Sequence, residues 1–217
     1  MSLPPPYYQD EYVTIYHANC RDVAPNLGKF DLLLTDSPYG IKADEAASKN
    51  KGKWGWKDYG SSNWDRERPT KEDFDIILSL ADYAIIWGGN YFADLLPPSM
   101  GWLAWDKEQR NFSLADFEMA WTSFWVAARC FDYSRAKAMQ DGKQHPTQKP
   151  ISLMNFCINH ADERAKTPMN TIIDPFMGSG TTLRSAKDLG RKAVGIEINE
   201  AYCEIAANRM AQEVFAL

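Results

Sequence analysis

Short apolar runs bounded by Gly, Pro, Asn and Asp alternate along this chain with stretches of helical period, which predicts strands and helices in turn. A Pro-rich arm, MSLPPPYYQ, opens it, followed by a β-rich run at 12–17 and a short helix over 19–27. Residues 30–35 read FDLLLT and stop at Ser37-Pro38 and Gly40, as a strand covered on both faces does. No period is visible over 41–69, which are rich in Lys, Gly, Trp and Ser. A loop of that length in a compact domain is either functional or disordered. Thr70 then suits the N-cap of a helix over 71–81, with Asp73 three residues on. Further strands are predicted at 84–87, 102–105, 171–174 and 192–198, a strand or hairpin arm at 117–127, and further helices at 90–96, 150–161, 181–189 and 200–215. Pro150 starts one of these helices and Gly190 stops another. Strands alternating with helices predict an α/β fold with a mostly parallel sheet and ligands at the C-terminal ends of its strands.

Composition narrows this picture. A chain of 217 residues, 45% hydrophobic with eight Trp, supports one large domain over 1–217. No apolar run approaches the roughly 20 residues of a membrane span, and no basic-then-apolar leader opens the chain, so no membrane and a cytoplasmic location are expected. Cys20, Cys130, Cys157 and Cys203 are widely spaced, so neither a disulfide framework nor a metal site is expected, and all four read as small core residues. His17 and His160 read as structural. The aromatic run 117–125 reads as mostly core, with Phe112 or one of its aromatics a candidate for lining a base pocket.

The net charge of −5 argues against a nucleic-acid partner until it is resolved by segment. Residues 41–71 hold eight Lys/Arg against five acids, and 129–149 hold five against two. Each is +3, on a body of −11. These are either two solvated loops or a local phosphate-contacting face. Trp54, Trp56, Tyr59 and Trp64, interleaved with lysines, suit either stacking on DNA or a cluster pinning the loop.

Two segments carry candidate chemistry. The first, 171–182, reads TIIDPFMGSGTT: a strand, a tight turn with Gly178 and Gly180 able to admit a ligand close to the backbone, and a helix start. Glu197 ends the next strand, where an acid suits the two hydroxyls of a ribose. Leu183 stands where a dinucleotide fingerprint has its third glycine, and Gly180-Thr-Thr lacks the lysine of a phosphate loop. Asp174 would repel a pyrophosphate but suits a cationic amino group. S-adenosylmethionine, with a ribose, an ammonium and no phosphate, fits; the alternative is a helix-packing turn without ligand.

The second segment, Asp36-Ser37-Pro38-Tyr39, directly follows the strand 30–35 and so lies at a strand C-terminal end. Asp36 and a neighbouring carbonyl can accept both hydrogens of an amino group while Tyr39 stacks on the ring that bears it. Two acceptors draw the nitrogen toward a pyramidal geometry with its lone pair aimed at a methyl donor. On its own, the loop reads first as an ordinary polar turn.

Asp36–Tyr39 resembles the Asp/Asn/Ser-Pro-Pro-Tyr motif of DNA amino-methyltransferases, and 174–182 their Phe-x-Gly-x-Gly cofactor motif. His145-Pro-Thr-Gln-Lys-Pro150 resembles their segment gripping the methionine carboxylate. With Gly195-Ile-Glu-Ile-Asn199 and Trp87-Gly-Gly-Asn90, the similarity covers nearly the whole chain, in the permuted order of the β group. The resemblance implies a Rossmann-like AdoMet-dependent methyltransferase fold, with a mostly parallel seven-stranded sheet and one antiparallel strand.

It further implies that Asp36, Ser37, Pro38 and Tyr39 are catalytic, with Tyr39 on a flipped base. Asp174, Phe176, Gly178, Ser179, Gly180 and Thr181 would hold the methionine part of the cofactor. His145, Thr147 and Lys149 would meet its carboxylate, Glu197 with Asn199 its ribose, and Asp22 its adenine. Ser37 departs from the motif, where a first proline is usual. Asp in the first position leans toward adenine N6 over cytosine N4. Double-stranded DNA is the implied partner, a restriction endonuclease a further one, and the state a monomer or homodimer. Only 41–70 and 126–144 remain for DNA recognition. Cytosine-C5 chemistry needs a cysteine nucleophile, typically after proline, and here the cysteines follow Asn19, Arg129, Phe156 and Tyr202. Protein-glutamine and ribosomal-RNA N-methyltransferases usually place the glycine motif ahead of the Pro-Tyr loop. A degenerate methyltransferase serving as a DNA-binding subunit is the non-enzymatic alternative.

Overall fold

A computed structural model describes residues 2–41, 68–110, 115–140 and 148–212. It contains β1 (Tyr8–Gln9), β2 (Val13–His17), α1 (Cys20–Val23), β3 (Phe30–Asp36), α2 (Lys71–Ser79), β4 (Ala81–Trp87), β5 (Trp102–Asp106), β6 (Phe117–Thr122), β7 (Arg129–Asp132), α3 (Arg135–Gln140), α4 (Ile151–Ala165), β8 (Thr171–Asp174), α5 (Thr181–Asp188), β9 (Lys192–Glu197) and α6 (Glu200–Ala211).

The strands form one sheet in the order β1-β2-β9-β8-β3-β4-β6-β5-β7. From β2 to β5 it is the expected seven-stranded arrangement: β2, β9, β8, β3 and β4 run parallel, and β6 pairs antiparallel with both β4 and β5. The two-residue β1, antiparallel to β2, and the four-residue β7, parallel to β5, extend it to nine. The α/β class, mostly parallel, is the one expected.

Burial explains the near-continuous apolar strands. Along β3, Leu32 and Leu34 face one core with residues of α4, α5 and α6, whereas Leu33 faces a second core with Val23, Phe74, Ile77 and Phe92. β4 alternates likewise, Ile85 and Trp87 against Ala84 and Ile86. A strand sandwiched between two helical layers has no polar face to show. Between β8 and β3 the chain order breaks, and the connections leave in opposite directions, which opens a crevice at their C-terminal ends.

Several predicted elements change. The helix expected at 90–96 is a 3₁₀ turn, Gly89–Tyr91, followed by irregular turns. Gly88, at φ +74°, swings the chain off β4, and Pro97-Pro98 leaves too few residues for an α-helix. The helix expected at 19–27 is α1, capped by the Asn19 side chain, and then a 3₁₀ turn where Pro25 intervenes. The strand expected at 117–127 stops at Thr122, and Phe117 and Trp125 are exposed rather than core. Arg129–Asp132, an edge strand of mixed polarity, carries no period and escapes the reading. Cys157 and Cys203 are buried as expected, but Cys20 is half-buried and Cys130 exposed. His160 is buried and His17 exposed. Trp54, Trp56, Tyr59, Trp64 and Phe112 lie outside the described residues, as does most of 41–70. Among the described residues no helix is long and apolar enough to cross a membrane.

Candidate active site

The C-terminal ends of β3, β8 and β9 converge on a cavity of 360 Å³. Asp36, Pro38, Lys149, Asp174, Glu197 and Thr181 are among its lining residues, so the two segments singled out from the sequence open on one space.

On the glycine side, Asp174 ends β8 and is buried. Its Oδ1 accepts from Thr35 Oγ1 at 2.7 Å and from Phe176 N at 3.1 Å. Burial pushes its carboxyl up to about 6. Glu197 is fixed by two backbone donors, Gly178 N to Oε2 at 3.0 Å and Asn199 N to Oε1 at 2.8 Å. Burial outweighs both and raises it to about 7. Gly178, at φ +51°, has no atom near its missing Cβ, so the backbone is open there. Gly180 differs from expectation: a Cβ would meet Ala206 of α6 at 2.9 Å, and the residue is absent from the cavity wall. Its φ of +77° starts α5 and its bareness lets α6 pack close.

Phe176 and Ser179 also line the cavity. Asn199 does not; its side chain caps α6 by accepting from Ala201 N. Asp22 is exposed on α1 and off the wall, where its neighbours Cys20 and Arg21 stand instead. His145 and Thr147 lie outside the described residues.

On the loop side, Asp36 holds two donors. Tyr39 OH donates to Oδ1 at 2.6 Å and Lys149 Nζ to Oδ2 at 2.6 Å. Lys149 Nζ also donates to Glu118 Oε2 at 2.9 Å and to Tyr39 OH at 3.1 Å, with only 3% of its side chain exposed. Lys107 Nζ in turn sits 2.6 Å from Glu118 Oε1. Burial pushes the Asp36 carboxyl up, against the pull of Lys149. Burial also works against charge on Lys149 and Glu118, but their partners win. The Lys149 ammonium is held above the usual lysine value, and Glu118 falls to about 2 between Lys149 and Lys107.

Tyr39 is raised well above an ordinary phenol, first by burial and then by Asp36, so it keeps its proton. Its ring stacks on Tyr91, centroids 4.8 Å apart, and a Cβ on Gly88 would lie 2.1 Å from Tyr39 Cε1, so only glycine admits the ring. Ser37 is buried at 2% exposure, with no hydrogen-bond partner for its Oγ among the described residues.

Lys149, expected at a cofactor carboxylate, lines the cavity and donates to Asp36, Tyr39 and Glu118. Glu118, Lys107, Tyr91 and Thr35 escaped the sequence reading because each is a lone residue whose partner is distant along the chain. A buried Arg209 also escaped it: its guanidinium donates to Thr181 Oγ1 and Gln148 Oε1 and so braces the start of α5. Among the described residues no three His, Cys, Asp or Glu are placed to hold a metal ion.

Comparison with known proteins identifies relatives of the chain. A model of the N6/N4 class, described as DNA methylase, matches residues 90–208, beginning after the Asp36–Tyr39 loop. Type II methyltransferase M2.MboI of Moraxella bovis is 25% identical over 252 residues, which cover 94% of this chain and 90% of that protein. Type II methyltransferase M.HinfI of Haemophilus influenzae is 37% identical over 90 residues, 42% of this chain and only 24% of that longer protein. Two solved structures share the fold. M1.HpyAVI has a TM-score of 0.58 at 20% identity, covering 93% of this chain and 100% of its own. PvuII DNA methyltransferase (cytosine-N4-specific) has a TM-score of 0.62 at 15% identity, covering 97% and 90%. With a family match over more than half of its length, the chain belongs to the N6/N4 DNA methylase family.

Proposed function

We propose that the protein transfers a methyl group from S-adenosylmethionine to an exocyclic amine in double-stranded DNA, with adenine N6 favoured. One observation carries the reading: Asp36 of the loop and the Asp174/Glu197 acids open on the same cavity.

The cavity fits the cofactor. Its size is within the range of small-molecule sites, about 300–1,000 Å³. Its two acids suit an ammonium and a ribose and oppose a pyrophosphate. The cofactor supplies a methyl group on a sulfonium. Glu197, aligned by Gly178 N and Asn199 N, accepts from the ribose hydroxyls, and Asp174 faces the ammonium. Asp36 accepts an amine N–H at Oδ1 in place of Tyr39 OH, with the Ser37 or Pro38 carbonyl taking the second hydrogen. Tyr39 is off the cavity wall, stacked on Tyr91 and packed against Gly88, so meeting the flipped base requires its ring to turn toward the cavity. The carboxylate at Asp36 supports adenine N6; cytosine N4 is the alternative within the same chemistry.

DNA contact is assigned to 41–70 and 126–144, of which the structure describes 41, 68–70 and 126–140, the last with β7 and α3. Pairing with a restriction endonuclease, and a monomeric or homodimeric state, belong to the same reading.

Tritium transfer from labelled cofactor tests it. DNA is expected to be labelled, the label mapping to N6-methyladenine, and Asp36→Ala is expected to abolish transfer while the protein still folds. Label on RNA or protein but not DNA overturns the reading. Cofactor binding without any transfer identifies a degenerate binding subunit instead.

A further inference from the structure

Lys149 occupies an unusual place for a lysine: buried, with carboxylates on two sides. Its ammonium donates to Asp36 Oδ2, Glu118 Oε2 and Tyr39 OH. It lies 5.5 Å from the centroid of the Tyr39 ring and 5.8 Å from that of Trp87. Glu118 reaches it because β6 runs against its neighbours, so the start of β6 lies at the sheet edge where β3 and β4 end. Its other oxygen is held by Lys107, which follows β5. The result is a neutral row of alternating charge, Lys107–Glu118–Lys149–Asp36, ending on the Tyr39 hydroxyl.

An ammonium buried against one carboxylate tends to surrender its proton, since desolvation penalises both charges. A second carboxylate behind the lysine opposes that transfer. We propose that Glu118 is a positioning residue for the methyl-transfer step: by holding the Lys149 ammonium between the two carboxylates it keeps Asp36 turned with Oδ2 on Lys149, leaving Oδ1 for the substrate amine. This rests on the amino-methyltransferase reading above. Tyr39 OH keeps Oδ1 occupied until the amine displaces it. Lys149 accordingly serves the acceptor side of the reaction rather than the cofactor carboxylate.

The groups facing Lys149 are Asp36 and Tyr39 from the end of β3, Glu118 from β6, Lys107 beyond β5 and Cys157 from α4. Asp174 of β8 faces Asp36. Removing Glu118 takes away one of the two charges that keep Lys149 protonated.

Glu118→Gln tests this, with turnover on DNA and the dissociation constant of S-adenosylmethionine measured side by side. Turnover is expected to fall by about tenfold to a hundredfold, as small misplacements at a reacting centre do. Cofactor affinity is expected to stay within about twofold, because no cofactor contact is touched. The alkaline limb of the kcat profile moves to lower pH, and Glu118→Asp restores part of the rate. An unchanged rate and profile in Glu118→Gln overturns the proposal. So does a loss of cofactor affinity that matches the loss of turnover, which returns Lys149 to the cofactor. Should Glu118→Gln fold poorly, Lys107→Met removes the competing cation from the far oxygen of Glu118, leaves that carboxylate to Lys149 alone and is expected to move the same limb to higher pH, the opposite direction; no shift overturns the proposal. Wild-type protein that labels no DNA counts instead against the methyltransferase reading.

Discussion

At the scale of single residues, two carboxylates on the cofactor side are held away from their ordinary behaviour by burial. Asp174 stands at about 6 and Glu197 at about 7. A carboxyl raised in the folded protein contributes stability below its ordinary value, and loses it as pH rises through the folded value. The free protein is therefore expected to lose stability from about pH 4.5 to 7 through these groups. The cofactor's ammonium and ribose hydroxyls favour the ionised acids, so its affinity should move the other way. Between pH 5.5 and 8 binding should tighten, at most about tenfold per pH unit for one proton released. Calorimetric titration across that range checks this, and Glu197→Gln should remove the upper part of the rise. Gly178 and Glu197 were legible as neighbours because adjacent elements of one βαβ unit carry them. The Lys149–Asp36 bond, between residues 113 positions apart, was not legible, because nothing local records it.

At the scale of elements, the first turn of α2 shows how much a local signal can carry. Thr70 caps the helix by accepting from Asp73 N, and the Asp73 side chain returns to Thr70 N at 2.8 Å. That reciprocal cap was readable from Thr70 and the acid three residues on. Its second use was not: Arg21 of α1 pairs with both oxygens of Asp73, at 2.5 and 2.7 Å, and holds that carboxyl at about 2. One acid thus ties two elements together at the cavity wall. Asp73→Ala should destabilise the protein by about 1–3 kcal/mol, from the lost cap and the orphaned donors together. Urea unfolding should show the midpoint lowered with its slope unchanged. The turn at 89–91 is the opposite case. Its residues suit a helix, and Gly88 together with Pro97-Pro98 overrides them.

At the scale of the whole molecule, the sum of charges hides their placement. The net −5 is the sum of a body of −11 and two segments of +3, one just after the Asp36–Tyr39 loop and one ending at Lys149. DNA affinity should therefore depend on salt despite the acidic whole. A duplex-binding titration by fluorescence anisotropy should show affinity falling by about tenfold or more between 50 and 200 mM salt. Neutralising Arg129 and Arg135 should flatten that slope, and a flat slope in the intact protein would remove the phosphate-contacting face.

What the sequence determined alone is whatever depends on neighbours along the chain. It set the alternation of strand and helix, the bare turn at Gly178, the acid at the end of β9 and the stiff Asp36–Tyr39 loop. Each is a local conformational preference or a short-range spacing. What tertiary structure decided is which of these residues meet. It sent Gly180 to pack against α6, set Lys149 against Asp36 at the cavity wall, and placed Glu118 behind it by reversing β6. Burial is the physical reason. The charge state and partner of a buried group depend on everything packed around it, and the sheet gathers those surroundings from across the chain.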